Sequence, residues 1–395
     1  MNEILLNTIN QHFINTHLES DIGSLMLKKL DGYTGDKKAL IAQIESKKKC
    51  QTKLPTWYGT ENIYYPNKLN IEQTSSEITA QYKASLMRGH TLIDITGGFG
   101  VDTYYFSKQF DTVTHCEINA SLSEIVKHNY TQLKASNIHA ITGDGIAYLQ
   151  KSDTLYDCIY VDPSRRHDTK GKVFYLNDCD PNIPEHLDLL LAKAQTVLIK
   201  ASPMLDISAG IKDLGCVKEI HVVAVNNDVK EVLFLLDRNA SAVIQIKTIN
   251  FTKTKAQRFD FKLADEVLPP ALSLPKRYLY ESNRAIMKSG AFNAVARQLQ
   301  LDKLHVNSHL YTSEQRMAFP GRTFVIDKVI PYHKKTILKE GLKKANITTR
   351  NFPLSVKELR QKFHIKDGGD CYLFFTTTMD EQKIMIKTKQ LMTAS

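Results

Sequence analysis

An apolar segment followed by a helical segment occurs five times in succession between residues 91 and 215, and this alternation constrains the fold more than any other feature. The apolar segments read TLIDIT, TVTHCEI, IHAITGD, YDCIYVDPS and TVLIKAS. Strands that are apolar throughout and separated by helices are typical of a parallel sheet that is covered on both faces. The sequence therefore predicts five parallel βα units with right-handed crossovers.

The alternation stops after the fifth unit, where two strand-like segments, VKEIHVVAVNN and KEVLFLLD, follow each other with only a few polar residues between them. A parallel pair needs a crossover of about a dozen residues, so these two segments must pair antiparallel. We therefore predict an α/β, Rossmann-like sheet of five parallel βα units that ends in an antiparallel hairpin. A mostly helical region is predicted for residues 1–85, the sheet for 86–238, and two small α+β units for 239–310 and 311–395.

The turn after the first strand reads DITGGFGVDT and is rich in glycine. It lacks the third glycine of a dinucleotide-binding GxGxxG turn and the lysine of a phosphate-binding P-loop. Glycine lets the backbone pass close to a ligand and reach angles that are closed to other residues. The candidate binding residues in this turn are Asp94, Thr96, Gly97, Gly98, Gly100 and Thr103.

Each of the first four strands ends in an acidic residue, namely Asp94, Glu117, Asp144 and Asp162. Ligands bind at the carboxyl edge of an open α/β sheet, and an acid about 20 residues after the glycine turn accepts hydrogen bonds from ribose hydroxyls in nucleotide folds. Glu117 has that position. Asp144 is placed to accept from an adenine amino group, and Ile118 and Ile146, which follow these acids, are placed to sandwich the adenine ring. Gly145 is a further binding candidate next to Asp144.

The segments DITGGFGVDT, CEIN, GDG and DPSRR, in that order, resemble the motifs of a class I methyltransferase that uses S-adenosylmethionine (SAM). More closely, the chain resembles a bacterial family of such enzymes that carries a ferredoxin-like and a THUMP-like domain after the catalytic domain. The segments EQTSSEITAQYKASL, YLYESNRAIMKSG and FPGRTFVID also fit that family. The resemblance implies SAM as the cofactor and, because THUMP domains bind RNA, an RNA-recognition module. It extends distantly to enzymes that methylate the 2-amino group of guanine in RNA caps.

The catalytic candidates are the residues of DPSRR, namely Asp162, Pro163, Ser164 and Arg165. Enzymes that methylate exocyclic amines carry a related [DN]PP[YF] motif, whose side-chain oxygen and backbone carbonyl accept hydrogen bonds from the amine. Methyl transfer needs mainly this proximity and alignment. Here Ser164 replaces the second proline and Arg165 the aromatic residue, although a flat guanidinium can also stack on a base or hold a phosphate.

Three further groups of residues border this predicted site. Arg166 is an RNA-binding candidate next to the motif, and Lys200 and Ser202 are expected at its rim. Tyr82 and Lys83 precede the first strand and are expected either to close over the methionine end of SAM or to lie on an ordinary helix surface.

The second half of the chain is strongly basic. Residues 238–395 contain 28 Lys and Arg against 13 Asp and Glu, whereas residues 1–237 contain 24 against 29. Such an excess attracts a polyanion, most simply nucleic acid, although a solvated basic surface is the alternative. The richest stretch supplies candidates for phosphate contacts (Lys334, Lys335, Lys343, Lys344 and Arg350) and for stacking on unpaired bases (Tyr332 and Phe352).

The sequence thus predicts a SAM-dependent methyltransferase that acts on a base nitrogen of rRNA or tRNA. One alternative is a SAM-fold protein that has lost catalysis and serves as an RNA-binding or assembly factor; another is a small-molecule or protein methyltransferase. Cys179 is a weak candidate for the nucleophile of a pyrimidine C5-methyltransferase. The cysteines and histidines lack metal-ligand spacing, and neither a signal peptide nor a membrane-length apolar run is evident. We therefore expect no metal, no membrane and a cytoplasmic location.

Overall fold

The computed structural model describes residues 1–27, 29, 31–165 and 175–391. The chain divides into two compact units. The first comprises Met1–Val217 and Phe234–Ala240, and the second comprises Lys218–Leu233 and Ser241–Ser395. Among the described helices, none is long and apolar enough to cross a membrane.

The first unit begins with six helices: α1 Thr8–Thr16, α2 Ile22–Leu27, α3 Lys37–Lys53, α4 Pro55–Gly59, α5 Lys68–Gln73 and α6 Glu77–Ser85. The helix α3 begins where the Asp36 carboxylate accepts hydrogen bonds from the Lys38 and Ala39 amides, a typical N-cap. Trp57, the single tryptophan of the chain, is fully buried in a core shared with Phe99 and Val126. The helical region predicted for residues 1–85 therefore packs on the sheet region within one unit.

Five parallel strands with intervening helices form the sheet of the first unit, as the sequence predicts. The elements are β1 Gly89–Asp94, α7 Val101–Phe106, β2 Phe110–Glu117, α8 Ala120–Gln132, β3 Ile138–Thr142, α9 Gly145–Lys151, β4 Tyr156–Val161, α10 Ile183–Lys193, β7 Ala194–Ala201 and α11 Ile207–Leu214. Two short strands, β5 Ser164–Arg165 and β6 Cys179–Asp180, pair antiparallel between β4 and α10. The long strands lie in the order β7-β4-β1-β2-β3, which places the first strand in the middle of the five.

The predicted hairpin consists of β8 Val217–Val225 and β9 Asp228–Asp237, which are neighbours in the sheet. Asn226 and Asn227 connect them and have positive φ angles of 50° and 61°. A two-residue loop with positive φ at both positions is the turn that suits an antiparallel hairpin. Two further strands were not predicted to join this sheet: β10 Gln245–Phe251 pairs parallel with β8, and β11 Ala256–Lys262 pairs antiparallel with β10.

A seven-stranded sheet forms most of the second unit. Its elements are β12 Tyr278–Ser282, α12 Arg284–Ser289, α13 Phe292–Gln298, β13 Asp302–Lys303, β14 Leu310–Ser313, β15 Gly321–Pro331, α14 Lys334–Lys339, β16 Asn346–Arg350, α15 Val356–Phe363, β17 Cys371–Thr377 and β18 Lys383–Leu391. The strand order is β13-β14-β12-β15-β18-β17-β16. Because β12 pairs antiparallel with β15, the two small units expected to meet near residue 310 share one continuous sheet.

A buried ion pair links α6 to α7 in the first unit. Lys83 is fully buried, and its Nζ lies 3.2 Å from Asp102 Oδ1. The hydroxyls of Ser75 and Tyr160 each donate to Asp102 Oδ2 at 2.8 Å. Burial raises the pKa of Asp102, but the positive charges of Lys83 and Lys200 and the two hydroxyl donors outweigh it and hold that pKa below its usual range. The expectation that Lys83 lies on a helix surface is therefore wrong.

Removing the Lys83 ammonium should destabilise the first unit. The variant Lys83→Met leaves a buried carboxylate without its nearest cation, which costs about 3 kcal/mol or more in the free energy of unfolding. The double variant Lys83→Met/Asp102→Asn should recover most of that loss. Urea unfolding followed by the fluorescence of Trp57 measures both values.

The exposed pair between Lys48 and Glu19 supplies the matched control, because both side chains are well exposed to solvent. The variant Lys48→Met should change the free energy of unfolding by less than about 1 kcal/mol. A loss for Lys83→Met as small as that of the control would show that the buried pair does not contribute as described.

Candidate cofactor and substrate site

The carboxyl ends of four neighbouring strands meet at one edge of the first unit's sheet. Asp94 and Glu117 end β1 and β2, Asp162 follows β4 directly, and Asp144 lies two residues after β3. The strand β1 pairs in parallel with β2 and β4, and β2 pairs in parallel with β3. The four acids therefore line one sheet edge, where the sequence places them, but their surroundings differ.

Asp94 is almost completely buried and holds the glycine-rich turn together. Its Oδ1 accepts a hydrogen bond from the Thr96 amide at 3.0 Å, and its Oδ2 accepts one from the Thr103 hydroxyl at 2.6 Å. Burial raises the pKa of Asp94 to about 7, and the two hydrogen bonds only partly oppose that rise. Both oxygens serve the protein itself, so Asp94 shapes the site from behind.

Thr96 connects the turn to the end of β4. Its hydroxyl oxygen accepts a hydrogen bond from the Asp162 amide at 2.6 Å. The amide of Thr96 is held by Asp94, so one threonine joins the first and fourth acids of the edge. The turn and the DPSRR segment are thereby fixed relative to each other.

Two glycines of the turn are required by side chains that lie behind it. A Cβ on Gly97 would lie 2.1 Å from the ring of His115. Gly100 has a φ of +78°, and a Cβ there would lie 2.2 Å from the hydroxyl of Tyr130. The sequence analysis attributed these glycines to the approach of a ligand. In the structure, the close approach is to the protein's own second strand and α8.

His115 lies fully buried beneath the turn. When Asp94 is ionised, the Thr103 hydroxyl donates to it, and the Tyr130 hydroxyl donates to the Gly100 carbonyl. Both hydroxyls can then only accept from His115 Nδ1, which lies 3.0 and 3.1 Å away. In that ionisation state of Asp94, Nδ1 carries the ring proton. Nε2 is buried without a hydrogen-bond partner among the described residues. Burial lowers the pKa of His115 to about 3, so the ring stays neutral.

Glu117 is half-buried and receives two backbone amides. Its Oε2 accepts from Gly98, which has a φ of +55°, at 2.9 Å, and its Oε1 accepts from Asn119 at 2.7 Å. Each carboxylate oxygen has more than one acceptor site, so both oxygens can still accept from a diol. The next residue, Ile118, is 71% exposed, as a residue that covers a ligand from the solvent side would be.

Asp144 caps the first turn of α9. Its Oδ1 accepts from the amides of Ile146 at 2.8 Å and Ala147 at 3.1 Å, while Oδ2 makes no hydrogen bond to a described residue. The side chain is exposed, whereas Gly145 and Ile146 are buried. A Cβ on Gly145 would lie 2.3 Å from the Ile95 carbonyl oxygen, so only glycine fits beside the first strand.

Asp162 is partly exposed and forms an ion pair with Lys200. The Nζ of Lys200 lies 2.5 Å from Asp162 Oδ2, and the two side chains are 14% and 36% exposed, respectively. Lys200 lies in β7, which pairs in parallel with β4, so the lysine reaches the same sheet edge. The sequence analysis expected Lys200 at the rim but not its pairing with the proposed catalytic acid.

The rest of the DPSRR segment is placed in part. Pro163 is buried, and Ser164 is exposed in β5. The backbone of Arg165 pairs with that of Cys179 in β6. Cys179, the weak candidate for a nucleophile, is fully buried, which argues against that role. Arg166 lies outside the described residues.

Comparison with known proteins decides the family. A crystal structure of a candidate methyltransferase from Porphyromonas gingivalis W83 is 32% identical to the chain and has a TM-score of 0.87. The match covers 97% of this chain and 98% of that one. A ferredoxin-like domain model matches residues 278–320, and a THUMP domain-like model matches residues 321–390.

The chain belongs to the class I SAM-dependent methyltransferases that carry C-terminal ferredoxin-like and THUMP-like domains. This membership confirms the predicted fold class and SAM as the cofactor. Two curated relatives match shorter segments. An RNA methyltransferase of Mycoplasma mobile is 25% identical over 176 residues, and the ribosomal RNA small subunit methyltransferase J of Francisella tularensis subsp. novicida is 26% identical over 105 residues. The matches span 42% and 25% of this chain, and 48% and 44% of the respective relatives.

The THUMP-like domain presents the predicted basic residues to solvent. Lys334 and Lys335 begin α14, and Lys343 and Lys344 lie in the loop that leads to β16; all four side chains are exposed. The backbone of Lys344 forms a bridge with that of Lys366, another exposed lysine that follows α15. These residues therefore gather on the α14–α15 side of the domain.

Arg350, Tyr332 and Phe352 have different surroundings from those expected. Arg350 donates from Nη2 to the buried Glu281 at 2.9 Å, and Glu281 also binds Arg322. The ring centroids of Tyr332 and Phe352 lie 4.9 Å apart in an edge-on arrangement against the domain core. Both rings are half-buried and pack against the domain core, so part of the surface expected to stack on bases is already used.

Within the parts of the chain that the structure describes, no three His, Cys, Asp or Glu residues form a group that could hold a metal ion. The carboxylates of the sheet edge are instead occupied by backbone amides, hydroxyls and one lysine.

The raised pKa of Asp94 predicts a pH-dependent stability. The folded protein keeps a proton on Asp94 up to about pH 7, whereas the unfolded chain releases it near pH 4. Stability should therefore fall as pH rises from about 4 to about 7, by up to ~1.4 kcal/mol per pH unit from this group. Asp94→Asn should remove that part of the slope. Urea unfolding of both proteins between pH 4.5 and 8, followed by Trp57 fluorescence, measures it, and equal slopes would contradict the assignment.

Proposed function

We propose that the protein is a SAM-dependent RNA methyltransferase that transfers a methyl group to a nitrogen of a base in rRNA or tRNA. The observation that carries the proposal is the arrangement of the sheet edge. The carboxylates of Glu117 and Asp144 can accept further hydrogen bonds there, and they lie beside the Asp162-Pro163 segment, which is hydrogen-bonded to Thr96. The same chain bears a THUMP-like domain with exposed lysines. The two curated relatives, named as RNA methyltransferases, support the choice of RNA.

The residues of the edge fit the two polar ends of the nucleoside part of SAM. Glu117 can accept from both ribose hydroxyls, since each of its oxygens receives only one amide in the structure. Asp144 Oδ2 can accept from the adenine amino group while Oδ1 continues to cap α9. Ile118 and Ile146 would contact the ring, and the Gly97–Gly100 backbone would lie along the methionine part. When bound, SAM supplies an electrophilic methyl group.

Asp162 and Pro163 would orient the target nitrogen. Asp162 Oδ1 and the Pro163 carbonyl oxygen are acceptors for the two N–H groups of an exocyclic amine, and such contacts turn the nitrogen lone pair toward the cofactor. Alignment of this kind supplies a large part of the rate in a transfer between two bound groups. Ser164, exposed beside them, offers a further hydroxyl. For Arg165 we propose that the guanidinium stacks on the base or binds a phosphate. This role is based only on the position of Arg165 in the DPSRR segment.

The basic residues of the THUMP-like domain would hold the RNA backbone. Lys334, Lys335, Lys343 and Lys344 are exposed, as residues that exchange counterions for phosphates must be. Structured RNA is recognised largely by its shape and backbone, which suits a broad group of lysines. Arg350 is a weaker candidate because Glu281 neutralises part of its charge. Arg166 retains the role proposed for it from the sequence.

One alternative is favoured by a specific observation. The DPSRR segment departs from the amine-methyltransferase motif at two positions, and its acid is already paired with Lys200. A SAM-fold protein that has lost catalysis and acts as an RNA-binding or assembly factor would also present these features. Methyl transfer by the wild-type protein separates the two functions.

Asp162→Ala should abolish methyl transfer. Tritiated SAM with total RNA from cells that lack the protein measures the rate, and the wild-type protein should label the RNA. Loss of the proposed acceptor should lower the rate by about 100-fold or more, with SAM affinity preserved. Asp153→Ala, at an exposed acid on the opposite edge of the sheet, is the matched control and should remain active. Full activity of Asp162→Ala would show that another group orients the target.

The lysines should contribute to the salt dependence of RNA binding. Each phosphate contact adds roughly 0.7–0.9 to the slope of log affinity against log salt concentration. Lys343→Ala/Lys344→Ala should therefore lower both the affinity and the slope. Lys253→Ala/Lys255→Ala removes the same charge from an exposed turn outside the THUMP-like domain and should leave the slope nearly unchanged. Equal slopes for the two double variants would refute a phosphate-binding role for the first pair.

A further inference from the structure

Lys200 reaches the proposed catalytic acid from the neighbouring strand. Lys200 is the seventh residue of β7. Ile199 of β7 pairs with Val161 of β4, so the next residues along the two strands, Lys200 and Asp162, lie side by side. The ammonium contacts Asp162 Oδ2 at 2.5 Å, and the lysine side chain is only 14% exposed. The Asp162 side chain is 36% exposed, so solvent screens this pair in part, although less than it screens a fully exposed ion pair.

The neighbourhood of Asp162 contains three acids and two lysines. The charge of Asp162 contributes to the raised pKa of Asp94, and the charge of Lys200 contributes to the lowered pKa of Asp102. Asp102 has its own cation in Lys83, which lies 3.2 Å away. Lys200 is therefore the cation in contact with Asp162, whereas Lys83 is the cation in contact with Asp102.

The contact also decides which oxygen of Asp162 is available. The Asp162 backbone is fixed by the hydrogen bond to Thr96, and Oδ2 is occupied by Lys200. Only Oδ1 is left to meet a substrate. The terminal torsion of an aspartate is otherwise soft, so without Lys200 the carboxylate could rotate away from the target. An ammonium has donors and no acceptor, so in this pair Lys200 cannot itself take a proton from the substrate.

We propose that Lys200 is a positioning residue of the methyl-transfer reaction, which holds Asp162 Oδ2 and so directs Oδ1 toward the target nitrogen. The inference rests on the proposed function, because it assigns Lys200 a role through Asp162. It goes beyond that function by naming a residue outside the DPSRR segment on which the acceptor depends. The role requires a cation at position 200 and does not require contact with SAM or RNA.

The first test needs neither cofactor nor RNA. Carboxyl groups of aspartate labelled with carbon-13 are observed by NMR at one pH in the wild type, Lys200→Met and Lys200→Arg, and the Asp162 signal is assigned from its absence in Asp162→Asn. The Asp162 signal should change in chemical shift and broaden in Lys200→Met, because the contact that holds Oδ2 is lost. Lys200→Arg should restore the wild-type signal. An unchanged Asp162 signal in Lys200→Met would overturn the inference.

The second test measures methyl transfer. Lys200→Met should lower kcat by about tenfold or more, with the KM for RNA and the calorimetric Kd for SAM nearly unchanged. Lys200→Arg should recover much of kcat, because a guanidinium can also donate to Asp162 Oδ2. Lys212→Met, at an exposed lysine of α11, is the matched control and should behave as the wild type.

Each contrary outcome has a distinct meaning. Wild-type kcat in Lys200→Met would overturn the positioning role, and a selective loss of SAM affinity would assign Lys200 to the cofactor instead. A lower rate that Lys200→Arg does not restore, together with reduced stability by Trp57 fluorescence, would reduce Lys200 to a structural residue. A wild-type protein that methylates no RNA would overturn the proposed function, while the NMR comparison would still decide whether Lys200 positions Asp162.

Discussion

The buried carboxylate of Asp94 is the interaction on which the arrangement of the site depends. One side chain holds the amide of Thr96 and the hydroxyl of Thr103, and so closes the turn between β1 and α7. The hydroxyl oxygen of Thr96 in turn accepts a hydrogen bond from the Asp162 amide. A single acid inside the sheet thereby sets the position of both the glycine-rich turn and the segment that follows β4, although it offers no oxygen to a ligand.

The acids of this region differ in the groups that form hydrogen bonds or ion pairs with each carboxylate. Glu117 and Asp144 are bound by backbone amides and keep acceptor capacity toward solvent. Asp162 and Asp102 each have a lysine, whereas Asp94 has none, and its burial raises its pKa to about 7. The edge thus combines two acceptors for neutral donors with one charge-compensated acid, which suits recognition of a nucleoside beside a second bound group.

Much of the fold follows from local sequence patterns. The apolar segments and their spacing identify the five parallel strands, and the short polar link at Asn226 and Asn227 requires the hairpin. The acids were located because a strand end is visible in the sequence. By contrast, β10 joins β8 and β12 joins β15 through pairings between segments distant in the chain. No local pattern specifies such partners, so the sequence separates pieces that the structure unites in one sheet.

The site was predicted less completely than the fold for a related reason. Residue types and strand ends identify Glu117, Asp144 and Asp162, but the partner of each carboxylate is set by tertiary contacts. The roles of Lys83 and Lys200 depend on which acid each reaches, and His115 is distinguished only by its place beneath Gly97. For Lys200 the sequence does offer a signal, because this lysine lies inside the mostly apolar segment LIKAS and a buried lysine needs an anion.

Titration calorimetry of SAM tests the central claim most directly. The wild-type protein should bind one SAM per chain, and Glu117→Ala should bind it at least about tenfold more weakly, because hydrogen bonds to a charged acceptor contribute about 1.5–3 kcal/mol. Glu185→Ala, at an exposed glutamate of α10, should bind as the wild type does. Absence of SAM binding by the wild type, or wild-type affinity in Glu117→Ala, would contradict the assignment of this sheet edge as the cofactor site.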